Sequence, residues 1–457
     1  MNETLPPALL SILLGTPALE RAYIVGGSVR DWLLGVPVKD VDVEVYGLPM
    51  DELARVLSAH GRVDLVGRAF GVVKLTHPSG EVWDFSLPRR DSKAGVGHRG
   101  FEVEVDPTLD TREASARRDF TLNALMWDPR RRELVDHHGG AADLRARILR
   151  HTGPAFVEDP LRVLRGMQFC ARFELVAAAE TLALCRTIVD SHRELPPERV
   201  REEWFKWASR SVRPSAGLRF LRDSGWWVHT PELKALEGVP QDPEWHPEGD
   251  AWTHTGHCVD ALAASASWRS SPEPTRIVLM LAVLLHDVGK ASCTREELRG
   301  DRMRIVSPGH EAAGVPMALE FLDRFGCPHA IRDRIPPLVA NHMARSENPS
   351  PRMLRRLACR LAPSNVEELC AVMTADASGR PPRPAGEPTT VTAIREVAGR
   401  MSLSSSAPRP ILLGRHLLER GAAPGPELGR RLAEAFEAQL DGEFEDLDGA
   451  LVWLGKP

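Results

Sequence analysis

The sequence predicts an α+β fold, a sheet-bearing head followed by all-α regions, and three observations predict it. Short valine-rich runs alternate with helix-like stretches only between residues 20 and 130. Beyond about residue 140 the apolar spacing becomes helical and strand-like runs nearly vanish. No internal repeat or heptad pattern joins the two, so neither a solenoid nor a coiled coil is expected. A length of 457 residues is enough for about two to four domains.

Taken in order, strands are expected at 23–26, 41–45, 63–66, 71–75 and 81–85, and helices at 28–34, 50–59 and 116–126. Amphipathic helices are then expected at 160–173, 176–191, 198–209 and 214–224. A loop rich in Pro, Trp and His (239–250) opens a second helical block over roughly 251–380. "SGRPPRPAGEP" at 378–388 reads as a linker, and the tail from 390 carries a helix near 426–439.

Composition narrows the class. No apolar run approaches the roughly 20 residues of a membrane span, and no basic-apolar-cleavage leader is visible, so no membrane partner is expected. The seven cysteines (170, 185, 258, 293, 327, 359 and 370) are scattered and never form CxxC, which argues for a reducing, cytoplasmic setting. A net charge of −5 does not suggest nucleic acid. Yet residues 112–172 hold 12 Arg against 8 Asp and Glu, a local balance of +4 carried wholly by the phosphate-binding cation.

Two stretches carry chemistry in the head. In "YIVGGSVRDWLLG" (23–35) a strand ends at Gly26-Gly27 and a helix follows, with Ser28 expected as its N-cap. Such a turn lets backbone N–H groups approach a phosphate, and Arg30 adds charge one turn on. In "VKDVDVEVYG" (38–47) Asp40 and Asp42 alternate with valines, so a strand would place both carboxylates on one face. Like charges so close repel unless a cation lies between them, and Mg2+ prefers oxygen ligands. Asp84 in "EVWDFS" supplies a third carboxylate. Farther on, Asp159 and Arg162 in "EDPLR" are spaced to be neighbours on a helix, an acceptor beside a donor that can match a base edge.

These residues together resemble the class II tRNA nucleotidyltransferases and bacterial poly(A) polymerases, within the polymerase-beta-like superfamily. The resemblance covers essentially the whole chain, with five motifs in order. It implies Asp40, Asp42 and Asp84 as catalytic carboxylates, the first two holding Mg2+. "ARRDFTLNAL" (116–125) is similar to a ribose-recognition motif, implying nucleotide contacts from Arg118, Asp119 and Asn123 beside Gly26, Gly27 and Arg30. Glu158, Asp159 and Arg162 correspond to the templating motif for incoming CTP or ATP, with Arg165 facing the triphosphate, and "PERVREEWFK" (197–206) to the helix that supports it. The implied partners are the tRNA 3′ end, ATP and CTP. The polar segment 87–116 is expected to be a mobile loop, and its presence favours adding full CCA, or A alone, over CC. Poly(A) polymerase and a CC-only enzyme remain open at this point. The expected division is a head at 1–139, a helical neck at 140–230, a third domain at 231–385 and a tail at 386–457.

That third domain has its own signature. "HPEGDAWTHTGHCVDALAA" (246–264) supplies His246, His254 and His257, and "RIVLMLAVLLHDVGK" (276–290) is an apolar helix ending in His286-Asp287, a pair suited to a divalent metal. With "VSPGHEAAG", "LVANHMA" and "MTADASGR", the order resembles the HD phosphohydrolase superfamily. It implies His254, His286, Asp287 and Asp376 as ligands, with His310 and His342 available to a second metal. A transition ion such as Ni2+, Mn2+ or Co2+ and a phosphatase or 2′,3′-cyclic phosphodiesterase activity are implied. A phosphohydrolase with an inactive, RNA-binding head is the alternative from another class. The tail segment 411–444 resembles a C-terminal motif GxDL, with Gly414-Arg415-His416-Leu417 here, so His416 stands where a carboxylate is usual.

Overall fold

The computed structural model describes residues 1–38, 40–67, 71–93 and 101–455. The chain forms two compact units, residues 1–207 with 216–229, and residues 208–215 with 230–457.

The first unit is built on a seven-stranded sheet. Its strands are β1 (Ala22–Val25), β2 (Asp42–Val45), β3 (Arg62–Gly67), β4 (Val72–Thr76), β5 (Val82–Ser86), β6 (Met126–Asp128) and β7 (Glu133–Val135), in the order β3-β4-β5-β2-β1-β6-β7. Only β2 and β5 run parallel, which sets Asp42 directly opposite Asp84. The inward valines Val43, Val45 and Val73 and Phe85 are buried against helix α2 (Met50–Ser58), whose Leu53 and Leu57 form its apolar stripe. Between β1 and β2 lies the short helix α1 (Gly27–Leu33). After the sheet come α3 (Leu161–Phe173) and α4 (Pro197–Arg210), both close to expectation.

Several expectations are corrected here. The strand starts at Asp42, so Asp40 precedes it rather than sharing its pleat. Ser28 is not the cap: α1 begins at Gly27, and the Ser28 hydroxyl donates to the Val25 carbonyl at 3.0 Å. The helix expected over 116–126 is a short helix over Thr111–Ala116 followed by a 3-10 turn over Thr121–Asn123. The expected loop 87–116 instead contains an antiparallel pair, Arg89–Lys93 with Phe101–Val105; residues 94–100 lie outside the described residues.

The second unit is mainly helical. Helix α5 (Ala251–Ala264) packs on α6 (Glu273–Leu285), whose residues from Ile277 to Leu285 are all buried. A two-stranded hairpin, β8 (Arg295–Arg299) with β9 (Arg302–Val306), interrupts a block expected to be helical throughout. Helices α7 (His310–Arg324), α8 (Ile335–Asn341) and α9 (Val366–Ser378) follow. The linker 379–388 carries no helix or strand, and α10 (Pro426–Asp441) is the helix expected in the tail, which also holds helices at Thr389–Arg400, Gly414–Leu418 and Leu447–Leu454. His416 acts locally, its Nδ1 accepting from the Leu413 N–H at 3.1 Å. No helix among the described residues is long and apolar enough to cross a membrane.

Candidate nucleotide cavity and candidate metal centre

A cavity of about 350 Å³ in the first unit gathers the residues that the sequence singled out for nucleotide contact. Gly26, Gly27, Arg30, Arg118, Asp119, Asn123, Asp159, Arg162 and Arg165 all line it, together with Asp42, Arg89 and Arg117. Gly26 has a positive φ of 71°, a backbone conformation that favours glycine, and the Arg118 guanidinium lies against it, 2.9 Å from where a Cβ would stand. Six arginines against three aspartates give the cavity a positive balance, which suits a polyanion.

The side chains are held by one another. Asp119 is the hub: its Oδ1 accepts from Asn123 Nδ2 at 2.9 Å and the Phe120 N–H at 2.8 Å, and its Oδ2 from Arg165 Nε at 2.7 Å. Burial alone would raise the Asp119 carboxyl, but the Arg165 charge and these hydrogen bonds hold it below its ordinary range. Arg30 is buried, donates to Asn123 Oδ1 and Asp31, and lies over the Phe173 ring at 4.6 Å. Asp42 is exposed at the strand end, and desolvation, then the charges of Asp84, Asp40 and Glu44, push its carboxyl up against the pull of Arg118. Asp84 is partly exposed with Lys74 Nζ 3.5 Å from its Oδ1; Asp40 is exposed. Neither of these two lines the cavity, so the structure brings Asp42 into it and sets Asp84 alongside. The all-oxygen donor set and the mutual repulsion at Asp42 fit a hard divalent cation.

Asp159 and Arg162 do not meet on one helix. Asp159 lies before α3, and its carboxylate accepts from the Leu161 N–H at 3.1 Å and pairs with Arg199 of α4 at 3.2 Å. Arg162 donates to the carbonyls of Ala155 and Arg117, each at 2.7 Å.

Glu44 stands in the sequence on the face of the aspartates, with no role assigned to it. It is 0% exposed in mid-strand, accepts from the Tyr46 hydroxyl at 2.8 Å, and pairs with Arg117 at 3.2 Å and Arg118 at 3.8 Å. It thereby braces two cavity arginines from beneath. Burial, then the Glu44 charge, pushes the Tyr46 phenol far up. The signal was available in "VDVEVY", where Glu44 shares the face of Asp42.

In the second unit all six expected metal residues converge. His254 Nε2 is 3.1 Å from Asp376 Oδ1 and 3.5 Å from Asp287 Oδ2, and His286 Nε2 is 3.1 Å from Asp287 Oδ2. The other oxygen, Asp287 Oδ1, faces His310 Nε2 at 3.2 Å and His342 Nε2 at 3.8 Å. Asp287 therefore stands between two groups of ligands, one on each carboxylate oxygen. Every histidine has its Nδ1 engaged with an oxygen: His254 with Glu248 at 2.7 Å, and His286, His310 and His342 with the carbonyls of Val283, Ser307 and Val339, each at 2.7 Å. Those partners turn each Nε2 toward the cluster, where a metal would displace any proton held there. Burial, then the neighbouring His286, lowers the His342 imidazole to about 3, so it is neutral as a ligand must be. His286 Nε2 and Asp287 Oδ2 are buried side by side, away from water. The residues fit a divalent transition ion. His257 is exposed and takes no part, while His246 shares Glu248 with His254. Lys290, with Nζ 2.7 Å from Asp287 Oδ2, and Arg380, which donates to Asp376, were not foreseen.

Residues 22–150 match the Poly A polymerase head domain family. The Multifunctional CCA protein of Xanthomonas campestris pv. campestris (strain B100) is 38% identical over 373 residues, covering 79% of this chain and 85% of that protein. The protein of the same name from Halorhodospira halophila is 41% identical over 332 residues, covering 71% and 74%. Among solved structures, the Bacillus stearothermophilus CCA-adding enzyme in complex with CTP is similar with a TM-score of 0.66 at 20% identity, over 98% of this chain and 97% of that one. The Thermotoga maritima CCA-adding enzyme complexed with tRNA reaches 0.59 at 19%, over 99% and 96%. At these identities the two structures show a shared fold.

Proposed function

We propose that this chain, which belongs to the multifunctional CCA protein family, adds CCA, or its terminal A, to tRNA 3′ ends from CTP and ATP. One observation carries the reading: nine residues expected to contact the nucleotide, drawn from three distant segments, line a single arginine-rich cavity with Asp42 at its edge. Arg30, Arg118 and Arg165 neutralise the triphosphate, and Asp159 and Arg162 offer an acceptor and a donor to the base, steadied by Arg199 and the Arg117 carbonyl. Asp40 and Asp42 would hold Mg2+, with Asp84 beside them; the ion supplies charge neutralisation and a more acidic RNA 3′-hydroxyl. The division into head, neck, third domain and tail, and a cytoplasmic location, belong to the same proposal.

The decisive experiment presents tRNAs ending at the discriminator base, at C and at CC, with each nucleoside triphosphate separately. Growth by at most three nucleotides supports CCA addition. A long A tail would select poly(A) polymerase, arrest at CC a CC-only enzyme, and no incorporation an inactive head.

The histidines turned toward Asp287 favour a second activity in the same chain, hydrolysis of phosphate monoesters or 2′,3′-cyclic phosphodiesters. His254, His286, Asp287 and Asp376 would hold a divalent ion such as Ni2+, Mn2+ or Co2+, with His310 and His342 able to hold another. The ion supplies Lewis-acid activation of water, while Lys290 and Arg380 hold the carboxylates in place. Failure to hydrolyse bis-p-nitrophenyl phosphate with Ni2+, Mn2+, Co2+ or Mg2+ removes this activity without touching the first.

A further inference from the structure

We propose that Cys258 is a thiolate ligand of the metal centre, which makes the centre a site for a borderline or soft divalent ion, Zn2+ foremost, rather than for Mg2+. The inference rests on reading His254, His286, Asp287 and Asp376 as a metal centre. Cys258 follows His254 by four residues on α5, so the two side chains share a face one turn apart. Its Sγ lies 3.3 Å from His254 Nε2, the ligand nitrogen, and 3.8 Å from Nδ1. Sγ and one ligand atom each from His254, His286 and Asp376 fall within 4.8 Å of one another. Zinc bonds of about 2.0–2.1 Å to nitrogen and about 2.3 Å to sulfur put two neighbouring ligand atoms roughly 3–4 Å apart, the spacing seen here.

Three further facts oppose the reading of Cys258 as an ordinary small core residue. The thiol is fully buried, and its polar neighbours are His254 and the Asp376 carbonyl, 3.8 Å away. Once the Nε2 lone pair goes to a metal, the S–H group loses its nearest acceptor in a place that water does not reach. Losing its proton to solvent and forming the metal–sulfur bond restores a partner, and the charge balances as one proton leaves for each thiolate formed. Second, His254, His286 and Asp376 each bring a ligand atom within 4.8 Å of Sγ and of one another, so the space beside the sulfur is already lined by metal-binding groups. Third, Gly379 closes the other side: a Cβ there would fall 2.3 Å from Sγ, so the backbone after α9 holds the sulfur against the ligands.

The test uses the full-length chain loaded with Zn2+ and X-ray absorption at the zinc edge. A sulfur shell at about 2.3 Å beside nitrogen and oxygen at about 2.0–2.1 Å is expected. Cys258→Ser should lose that shell, release one proton fewer on binding zinc, and bind it at least as weakly as the roughly 10–100-fold loss typical of an outer-shell change. Cys293→Ser/Cys359→Ser, at partly exposed thiols, should keep the shell even if Cys258→Ser fails to fold. Zinc bound through nitrogen and oxygen alone, or a sulfur shell surviving Cys258→Ser, overturns the thiolate and leaves the metal centre standing. Absence of any bound zinc, nickel, cobalt or manganese overturns the centre itself.

Discussion

The candidate nucleotide cavity and the candidate metal centre are both built from charged side chains, yet they are held in opposite ways. In the metal centre three of the four histidines are oriented by a carbonyl three residues earlier in their own segment: His286 by Val283, His310 by Ser307, His342 by Val339. Those three arrive at the cluster already oriented by local backbone. In the cavity nearly every group is oriented by a partner far away in sequence, as Asp119 is by Arg165 and Arg162 is by the Arg117 carbonyl. Preorganisation by local backbone survives the loss of a neighbour; preorganisation by a charge network does not.

The largest effects should break the two regions apart. Asp42→Ala should lower nucleotide addition by about a thousandfold or more, the scale on which preorganised charge stabilisation acts, while tRNA binding and bis-p-nitrophenyl phosphate hydrolysis stay near wild type. Nucleotide addition near the wild-type rate in that variant would sink the catalytic assignment. His286→Ala should do the reverse, abolishing hydrolysis and leaving addition intact. If either variant silences both reactions, the two regions are not separable as described.

A smaller effect should sharpen the comparison within the cavity. Glu44 touches no cavity space itself, but it anchors Arg117 and Arg118. Glu44→Gln should therefore raise KM for ATP and CTP by about tenfold with kcat changed less, since the loss falls on triphosphate binding. It should also destabilise the first unit by up to about 3 kcal/mol, because two arginines lose their buried counter-charge. An unchanged KM with the same loss of stability would reduce Glu44 to a structural role.

The same contrast explains what was legible in the sequence. The six residues expected to bind metal do converge, and three of the histidines owe their orientation to their own segments. The residues expected to contact the nucleotide do line one cavity, but their partners within it were not foreseen. Asp159 precedes Pro160, and a residue before proline is pushed out of the helical region; its φ of −114° and ψ of 100° show it. The pairing expected with Arg162 thus gave way to Arg199. The β8–β9 hairpin was hidden by strands as charged as "REELR", although Gly300-Asp301 between Arg299 and Arg302 is a two-residue hairpin turn. Cys258 was overlooked because it is a lone cysteine until the fold brings Asp376 and Gly379 beside it.

The smallest predicted effect tests whether the cavity is truly a charge network. Asp119 has its pKa lowered in the folded chain: burial opposes ionisation, and Arg165 with the donors Asn123 and Phe120 N–H outweighs it. A carboxylate depressed in this way contributes stability that is fully present above the unfolded value of about 3.9 and is lost as pH falls through the lower folded value. Asp119→Asn keeps the shape and removes the charge. The stability gap between wild type and this variant should be roughly 1 kcal/mol, the difference between a charged and a neutral hydrogen bond, and constant from neutral pH down to about 5. Below about 4 it should close as the wild-type carboxylate takes up its proton. Urea unfolding of both proteins across that range measures it, and a gap that widens in acid would mean that Asp119 is held by shape rather than by the charge of Arg165.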